Sequence, residues 1–399
     1  MAAADAQLLW LSTVTPNDQF LVYRFDGEFD SAGVEQVRRR AGYFPDLRLR
    51  VRDDHPWRYP RWVSGDVEPE QFVVHEPREW QSCLDALPGL DQLDTERMCW
   101  RVHVFPPDVV VVQISHALGD GTRSAALAAA LLGRSGPVSA VPEVRPGFLP
   151  WRALAAARKH RQLVRDVEAG LVAEPAGPRP PLSINEAPKA TPVLRTLVIG
   201  AGGLRHPTVT VSALAAISEA LGGYLADRGE DISRLGAEVP IALPISAQSL
   251  AHNNFRNVGL GLHPELSRPE RAERIGAELA AHRRRGEHPA THASAAAFAA
   301  VPAALLRWGI GRFDPTVRSA GVTGNTVVSS VNRGAADLSF GGAPVRFTAG
   351  FPALSPMMSL THGVHGLGDT VAISVHADSA NVDVDAYMDR LADVLGCHP

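Results

Sequence analysis

The sequence predicts an α/β fold arranged as two similar halves. Three observations carry that expectation. Strand-like and helix-like segments alternate through both halves of the chain. Between them, prolines recur at 137, 142, 146, 150, 175, 178, 180, 181, 188 and 192, and residues 173–192 have little periodicity. The 399 residues are 45% hydrophobic and 21% charged, a balance that packs a globular core and excludes a disordered chain, a collagen or a coiled coil.

In chain order, residues 17–28 contain a strand rich in Phe, Val and Tyr. Ser31–Gly42 reads as a helix, with Ser31 as N-cap, Glu35 early, arginines in the last turn and Gly42 as the stop. Leu47–Val51 and Arg61–Val63 form short strands, and Trp80–Leu87 a helix. Trp100–Phe105 and Val109–Ser115 are apolar strands joined at Pro106, Pro107 and Asp108, which predicts a hairpin. Thr122–Leu132 is an alanine-rich helix stopped by Gly133, and Trp151–Val172 a further helix.

The second half restarts with the strand Val193–Val198, the helix Ser212–Arg228 and the strands Glu238–Leu243 and Val258–Leu262. The helix Pro269–Arg285 follows, then the strands Thr326–Val331, Val345–Ala349, Met358–His365 and Thr370–Ala377, and the helix Asp383–Leu395. The division is therefore residues 1–172, a linker or crossover at 173–192, and residues 193–399. The apolar run Ala295–Ile310, which contains Pro302 and Arg307, reads either as a buried helix or as one that touches lipid or lines an apolar tunnel.

A formal net charge of −4 gives no reason to expect a nucleic-acid partner. Cys83, Cys99 and Cys397 are odd in number and widely spaced, so neither a disulfide framework nor a zinc site is expected, and a reducing cytoplasm fits. The opening MAAADAQLLW lacks the basic start and long apolar run of a signal peptide, and no 18-residue apolar stretch predicts a transmembrane helix. His362, His365, Asp369 and His376 do not make a metal site, because His362 and His365 face opposite sides of a strand and Asp369 falls in a turn. Cys99 is read as buried core, and the GAGGLR run at 200–205 lacks the spacing of a phosphate loop.

The segment Val109–Gly121 (VVVVQISHALGDG) carries the chemistry. A buried strand runs into Ser115 and His116, then a tight turn with Asp120 and Gly121, then a helix. A histidine at a strand end is held rigidly, and its ordinary pKa suits proton removal near neutral pH. Asp120 can fix the turn by accepting backbone N–H groups or by pairing with an arginine, and Gly121 permits a backbone that a side chain would hinder.

His116-Ala117-Leu118-Gly119-Asp120-Gly121 resembles the HxxxDG signature of the thioester-dependent acyltransferase superfamily, which includes chloramphenicol acetyltransferase, plant BAHD acyltransferases, peptide-synthetase condensation domains and wax ester synthase/diacylglycerol acyltransferases. The wider layout is most similar to the last group. Asp5-Ala6 with Leu8-Leu9, Tyr43–Arg52, Arg97-Met98-Cys99-Trp100, Ser183-Ile184-Asn185, Val209–Leu214, Asn253–Val258, Asn325–Gly334 and Leu360–Asp378 resemble its successive motifs. Departures are Ser115 in place of a first histidine, Met98-Cys99 in place of Pro-Leu, and Asn332-Arg333-Gly334 in place of Pro-Gly-Pro.

The resemblance implies two chloramphenicol-acetyltransferase-like subdomains, each a mixed sheet with flanking helices, and an active-site tunnel between them. It implies His116 as the general base that activates an acceptor hydroxyl or amine for direct attack on a thioester, with Asp120 and Gly121 structural and an arginine as the partner of Asp120, for which Arg256 is a candidate, its alternative being a surface charge. Ser115, Trp100, Asn253, Arg256, Ser329 and Ser330 are expected to line the site. No permanently bound cofactor is expected. The donor is acyl-CoA or an acyl-carrier-protein thioester, the acceptor a small alcohol or amine, and peripheral membrane contact is allowed. Three readings follow: a CoA-dependent ester-forming acyltransferase of the wax ester synthase kind; a free-standing condensation-type enzyme of natural product biosynthesis that uses a carrier-bound donor to form an ester or amide; and a non-catalytic ligand-binding relative. The departures at Trp100 and Val331 lean to the second.

Overall fold

Two six-stranded mixed sheets carry the chain in this computed structural model, which describes every residue except 31, 137, 139–140, 142–146, 205–206, 244–250 and 398–399. The first sheet has the strand order Ser339–Phe340, Ala343–Gly350, Gln19–Phe25, Val109–Ile114, Trp100–Phe105, Phe72–Val74. Its pairings are antiparallel except the edge pair Phe72–Val74 with Trp100–Phe105. The second sheet has the order Pro192–Gly200, Thr370–Asp378, Leu360–Leu367, Thr326–Asn332, Gly236–Ala242, Phe255–Gly261. There Thr326–Asn332 runs parallel to both neighbours.

Each sheet is faced by the helices that its apolar pattern calls for. Val109–Ile114 is buried at every position, as a central strand covered on both faces must be. Val110 and Val112 join the core beneath the helix Gly121–Leu131, while Val109 and Val111 pack with Leu84 and Leu87. In the second half the apolar helix Val209–Ala226 packs against Ile373, Val375 and Tyr387. That helix is long and apolar enough for a bilayer span, but 67% of it is buried within the protein.

The sequence-predicted elements are present, with four corrections. The helix Ala32–Tyr43 runs through Gly42 rather than stopping there, and Ser31 lies outside the described residues. The apolar run is two helices, Pro289–Phe298 and Ala303–Ile310, bent by 93° at the break before Pro302. Proline cannot continue the first helix because it lacks the N–H and its ring clashes with the preceding turn. Nor is the pair a buried helix: Leu305 and Trp308 are exposed. The third correction concerns residues 173–192, which are more than a linker. Asn185 donates to the carbonyls of Asn325 and Met357, each at 3.0 Å, and so pins the crossover to the second sheet.

The fourth concerns the division of the chain. Ser339–Phe340 and Ala343–Gly350 leave the second half and enter the first sheet, where Leu21 pairs with Gly350 and Val22 with Ala349. The helix Ala303–Ile310 also crosses over: Arg307 pairs with Asp53 and lies over the Trp10 ring. A cut at 173–192 therefore does not separate the two sheets.

At the crossing the two sheets touch through backbone. A Cβ on Gly363, in the second sheet, would stand 2.1 Å from the carbonyl oxygen of Gly350 in the first. Gly363→Ala is expected to cost about 1–3 kcal/mol by overpacking, read as a lower urea midpoint at unchanged slope; an unchanged midpoint would show that the sheets can part here freely.

Candidate active site

The strand Val109–Ile114 delivers Ser115 and His116 to the seam between the sheets. Ser115 donates its backbone N–H to the Cys99 carbonyl at 2.9 Å, which closes the strand, and the next residues form a turn. Asp120 then caps the helix Gly121–Leu131, its Oδ1 accepting from the N–H groups of Thr122 and Arg123. Its Oδ2 accepts the backbone N–H of Asn254 at 2.9 Å, from the other half of the chain. Both oxygens of Asp120 are thus satisfied by backbone donors.

His116 is held by Asn253. Imidazole Nδ1 lies 3.0 Å from Asn253 Oδ1. The amide cannot be turned over without loss, because Asn253 Nδ2 donates to the His116 carbonyl at 2.8 Å and to Asp5 Oδ1 at 3.0 Å. Oδ1 therefore faces the ring as an acceptor, Nδ1 must carry the proton, and Nε2 is left as the basic nitrogen. Burial lowers the His116 pKa below its ordinary value, so the ring is neutral near pH 7.

Asp5 anchors this arrangement. It is 1% exposed on the helix Ala3–Ser12, and it also accepts the backbone N–H groups of His252 (3.1 Å) and Asn253 (3.0 Å). Desolvation raises its pKa to about 6, against the pull of these donors. The neighbouring His252 ring stacks on Trp62 with centroids 4.8 Å apart, and burial lowers its pKa to about 3.

His116, Asp120 and Gly121 line a cavity of ≈ 510 Å³ between the sheets. Its walls are mainly apolar, with Leu8, Leu11, Phe20, Phe255, Phe313 and Phe351 among them. Ser329 and Ser330 reach it from the second sheet. The two differ in aim. Ser330 hydrogen-bonds Thr210 at 2.8 Å beside the buried Val328, whereas Ser329 shares its strand face with Val327 and Val331.

Four expected lining residues do not line the cavity: Asn253, which stands behind His116, and three more. Trp100 is core, its indole N–H donating to the Leu47 carbonyl at 2.7 Å. Ser115 is buried, with its hydroxyl turned to the Ala117 N–H at 3.4 Å. Arg256 points away from Asp120 and donates to the His282 carbonyl; the acidic residue it was matched to is served by the Asn254 backbone instead. The residues that sequence reasoning missed are Asp5 as an anchor, Asn254, and Arg333 with His365 on the cavity wall. Asp5 was signalled by a carboxylate inside an otherwise apolar helix, and Arg333 by its departure from a Pro-Gly-Pro pattern. Among the described residues no group of His, Cys, Asp or Glu side chains is placed to hold a metal ion.

Comparison with known proteins bears out the resemblance. Residues 253–396 match the family model of the WS/DGAT C-terminal domain. No curated protein matches the chain. The fold is similar to that of a wax ester synthase/diacylglycerol acyltransferase from Marinobacter aquaeolei VT8, with 18% identity, a TM-score of 0.61, and 98% of this chain and 97% of that one covered. It is also similar to the starter condensation domain of rhizomide synthetase. A variant of that domain in complex with C8-CoA and Leu-SNAC gives 14% identity, TM-score 0.59 and coverage of 99% and 92%. Its unsubstituted form gives 15%, 0.53, 99% and 94%. The architecture of two mixed sheets is thus one that this chain shares with a wax ester synthase/diacylglycerol acyltransferase and with starter condensation domains.

Two outcomes test this geometry. Asn253→Ala should release the ring, so that the ¹⁵N shifts of His116 report a mixture of tautomers in place of the Nδ1–H form; an unchanged spectrum would mean that something else fixes the imidazole. Asp120→Ala removes a helix cap, worth about 1 kcal/mol, and strands the half-buried Asn254 N–H, worth about 1–3. A loss of about 2–4 kcal/mol in denaturant unfolding is expected, and a variant that unfolds like the parent would contradict the structural role.

Proposed function

We propose that this chain is an acyltransferase that moves an acyl group from a CoA thioester to a hydroxyl acceptor, forming an ester, with His116 as general base. The observation that carries the proposal is the fixed tautomer: Nδ1 is committed to Asn253, and Nε2 of a neutral, half-buried ring remains to take a proton at a cavity between two sheets. The likeness to acyltransferase folds supports the reaction class.

The steps balance without an acyl-enzyme. Nε2 accepts the proton as the acceptor oxygen attacks the thioester carbonyl. The tetrahedral oxyanion needs a donor, and the Ser329 hydroxyl, on the cavity-facing side of its strand, is the candidate. Collapse breaks the C–S bond and the thiolate leaves as thiol, taking the proton back from imidazolium. Ser115 has no part in this, since its hydroxyl is turned into the turn.

A second reading, a condensation-type enzyme that takes its acyl group from a carrier protein and forms an ester or amide, is favoured by the likeness to starter condensation domains. Free-thiol release from acyl-CoA and from acyl-carrier protein, each against a panel of alcohols and amines, separates the two and detects a protein that only binds.

With the substrate so found, His116→Ala should lower turnover by about 10²–10⁴-fold with circular dichroism unchanged. Equal rates would remove His116 from the mechanism. Because the ring must be neutral to accept a proton and its pKa is depressed, kcat/KM should fall only as pH drops through a midpoint below 6.5 and stay level above it. A midpoint at or above 7 would contradict the half-buried, neutral base.

A further inference from the structure

Arg333 is the strongest charge on the cavity wall without an acidic partner. It is 6% exposed; Nη1 donates to the Thr348 hydroxyl and to the Ala349 carbonyl at 2.9 Å, and the Tyr23 hydroxyl is a further, neutral partner of the guanidinium. The Tyr23 ring lies beneath it, 5.6 Å from the guanidinium carbon. Nε has no hydrogen-bond partner. The edge formed by Nε and Nη2 is the one through which a guanidinium grips a carboxylate with two parallel bonds.

His365 stands beside this edge. It is 5% exposed, and its Nδ1 has no partner. A Cβ on Gly350 would collide with Arg333 Nη2 at 2.6 Å and His365 Nε2 at 3.0 Å, so the two groups pack side by side over a glycine that no larger residue could replace. Arg333, His365 and Gly350 all line the cavity that holds His116. Burial keeps His365 neutral, so it offers one N–H donor without a second charge.

The cavity's own acids do not answer Arg333. Asp120 is taken up by three backbone N–H groups. Asp18 accepts from the Leu93 N–H and the Gln113 amide, both at 2.8 Å. A buried, uncompensated cation in a mainly apolar cavity is costly unless something else neutralises it.

We propose that Arg333 and His365 form a carboxylate-binding subsite, so that one of the two substrates is an otherwise apolar molecule bearing a carboxylate. That this molecule is a substrate rests on the acyl-transfer reading; the subsite itself does not. Calorimetric titration of the wild-type chain with octanoate, octanamide and octyl phosphate tests it, with His116→Ala, Arg333→Leu and Arg333→Lys in parallel.

Octanoate should bind about ten- to a hundredfold more tightly than octanamide, the range for hydrogen bonds to a charged group. His116→Ala should keep that preference, Arg333→Lys should retain part of it, and Arg333→Leu should lose it. Equal binding of octanoate and octanamide, no measurable binding of octanoate, or a preference that survives Arg333→Leu would overturn the proposal. Tighter binding of octyl phosphate than of octanoate would overturn the carboxylate assignment. If Arg333→Leu does not fold, the wild-type ratio and Arg333→Lys decide. A carboxylate preference with no thiol release in any acceptor panel would sink acyl transfer and leave the subsite standing. Thiol release with no carboxylate preference would do the reverse.

Discussion

Three consecutive backbone N–H groups, those of His252, Asn253 and Asn254, end on two carboxylates from the opposite half of the chain, Asp5 and Asp120. Everything at the site depends on this clamp. It places the Asn253 amide against His116, and Asp5 then orients that amide through Nδ2. Asp120 performs two tasks with its two oxygens, capping its own helix and holding the Asn254 backbone. A carboxylate accepting several N–H groups in a buried place is fixed in position far more firmly than one paired with a flexible cation. The rigidity of the His116 imidazole is therefore borrowed from backbone geometry on both sides of the seam.

The same seam explains why the chain exchanges elements between its halves. The cavity needs walls from both sheets, and sheets joined by a single linker would be free to part. Ala343–Gly350 pairs with Gln19–Phe25, and the helix Ala303–Ile310 ties Arg307 to Asp53. These crossings keep the walls at fixed separation, and Gly350 and Gly363 let the backbones approach where a side chain would not fit.

How much of this was legible depends on how local the cause is. The strand, turn and helix from Val109 to Leu131 were readable because four valines, a tight turn and a capping aspartate follow one another in sequence. The helix Val209–Ala226 was readable from its continuous apolar run, though its start lies at the Thr208 cap rather than at Ser212. The destination of Ala343–Gly350 was not, because an alternating strand announces burial but not which sheet it joins. The partner of Asp120 was misread for a related reason. Charges attract attention in a sequence, so an arginine was sought, whereas the actual donors are backbone N–H groups, which every residue but proline carries. Asp5 lay near the start of the chain, and Asn253, 248 positions away, meets it only in the folded protein.

The buried charges share one pattern with a consequence for chemistry. Asp5, Asp18 and Asp120 accept N–H groups, whereas Arg333 gives Nη1 to a hydroxyl and a carbonyl and leaves Nε without a partner among the described residues. Had these acids been neutralised by arginines instead, the nearest cations would have depressed the His116 pKa further, and the nearest carboxylates would have raised it. Dipoles fixed in the backbone do neither strongly, so desolvation is the main influence on the ring. Such an arrangement keeps the imidazole neutral with Nδ1 protonated, and it leaves Arg333 on the cavity wall without an acidic partner among the described residues. On the proposed reading such a site would separate its two electrostatic tasks: proton transfer would be set by the clamp at the seam, and recognition of charge would be left to the far wall.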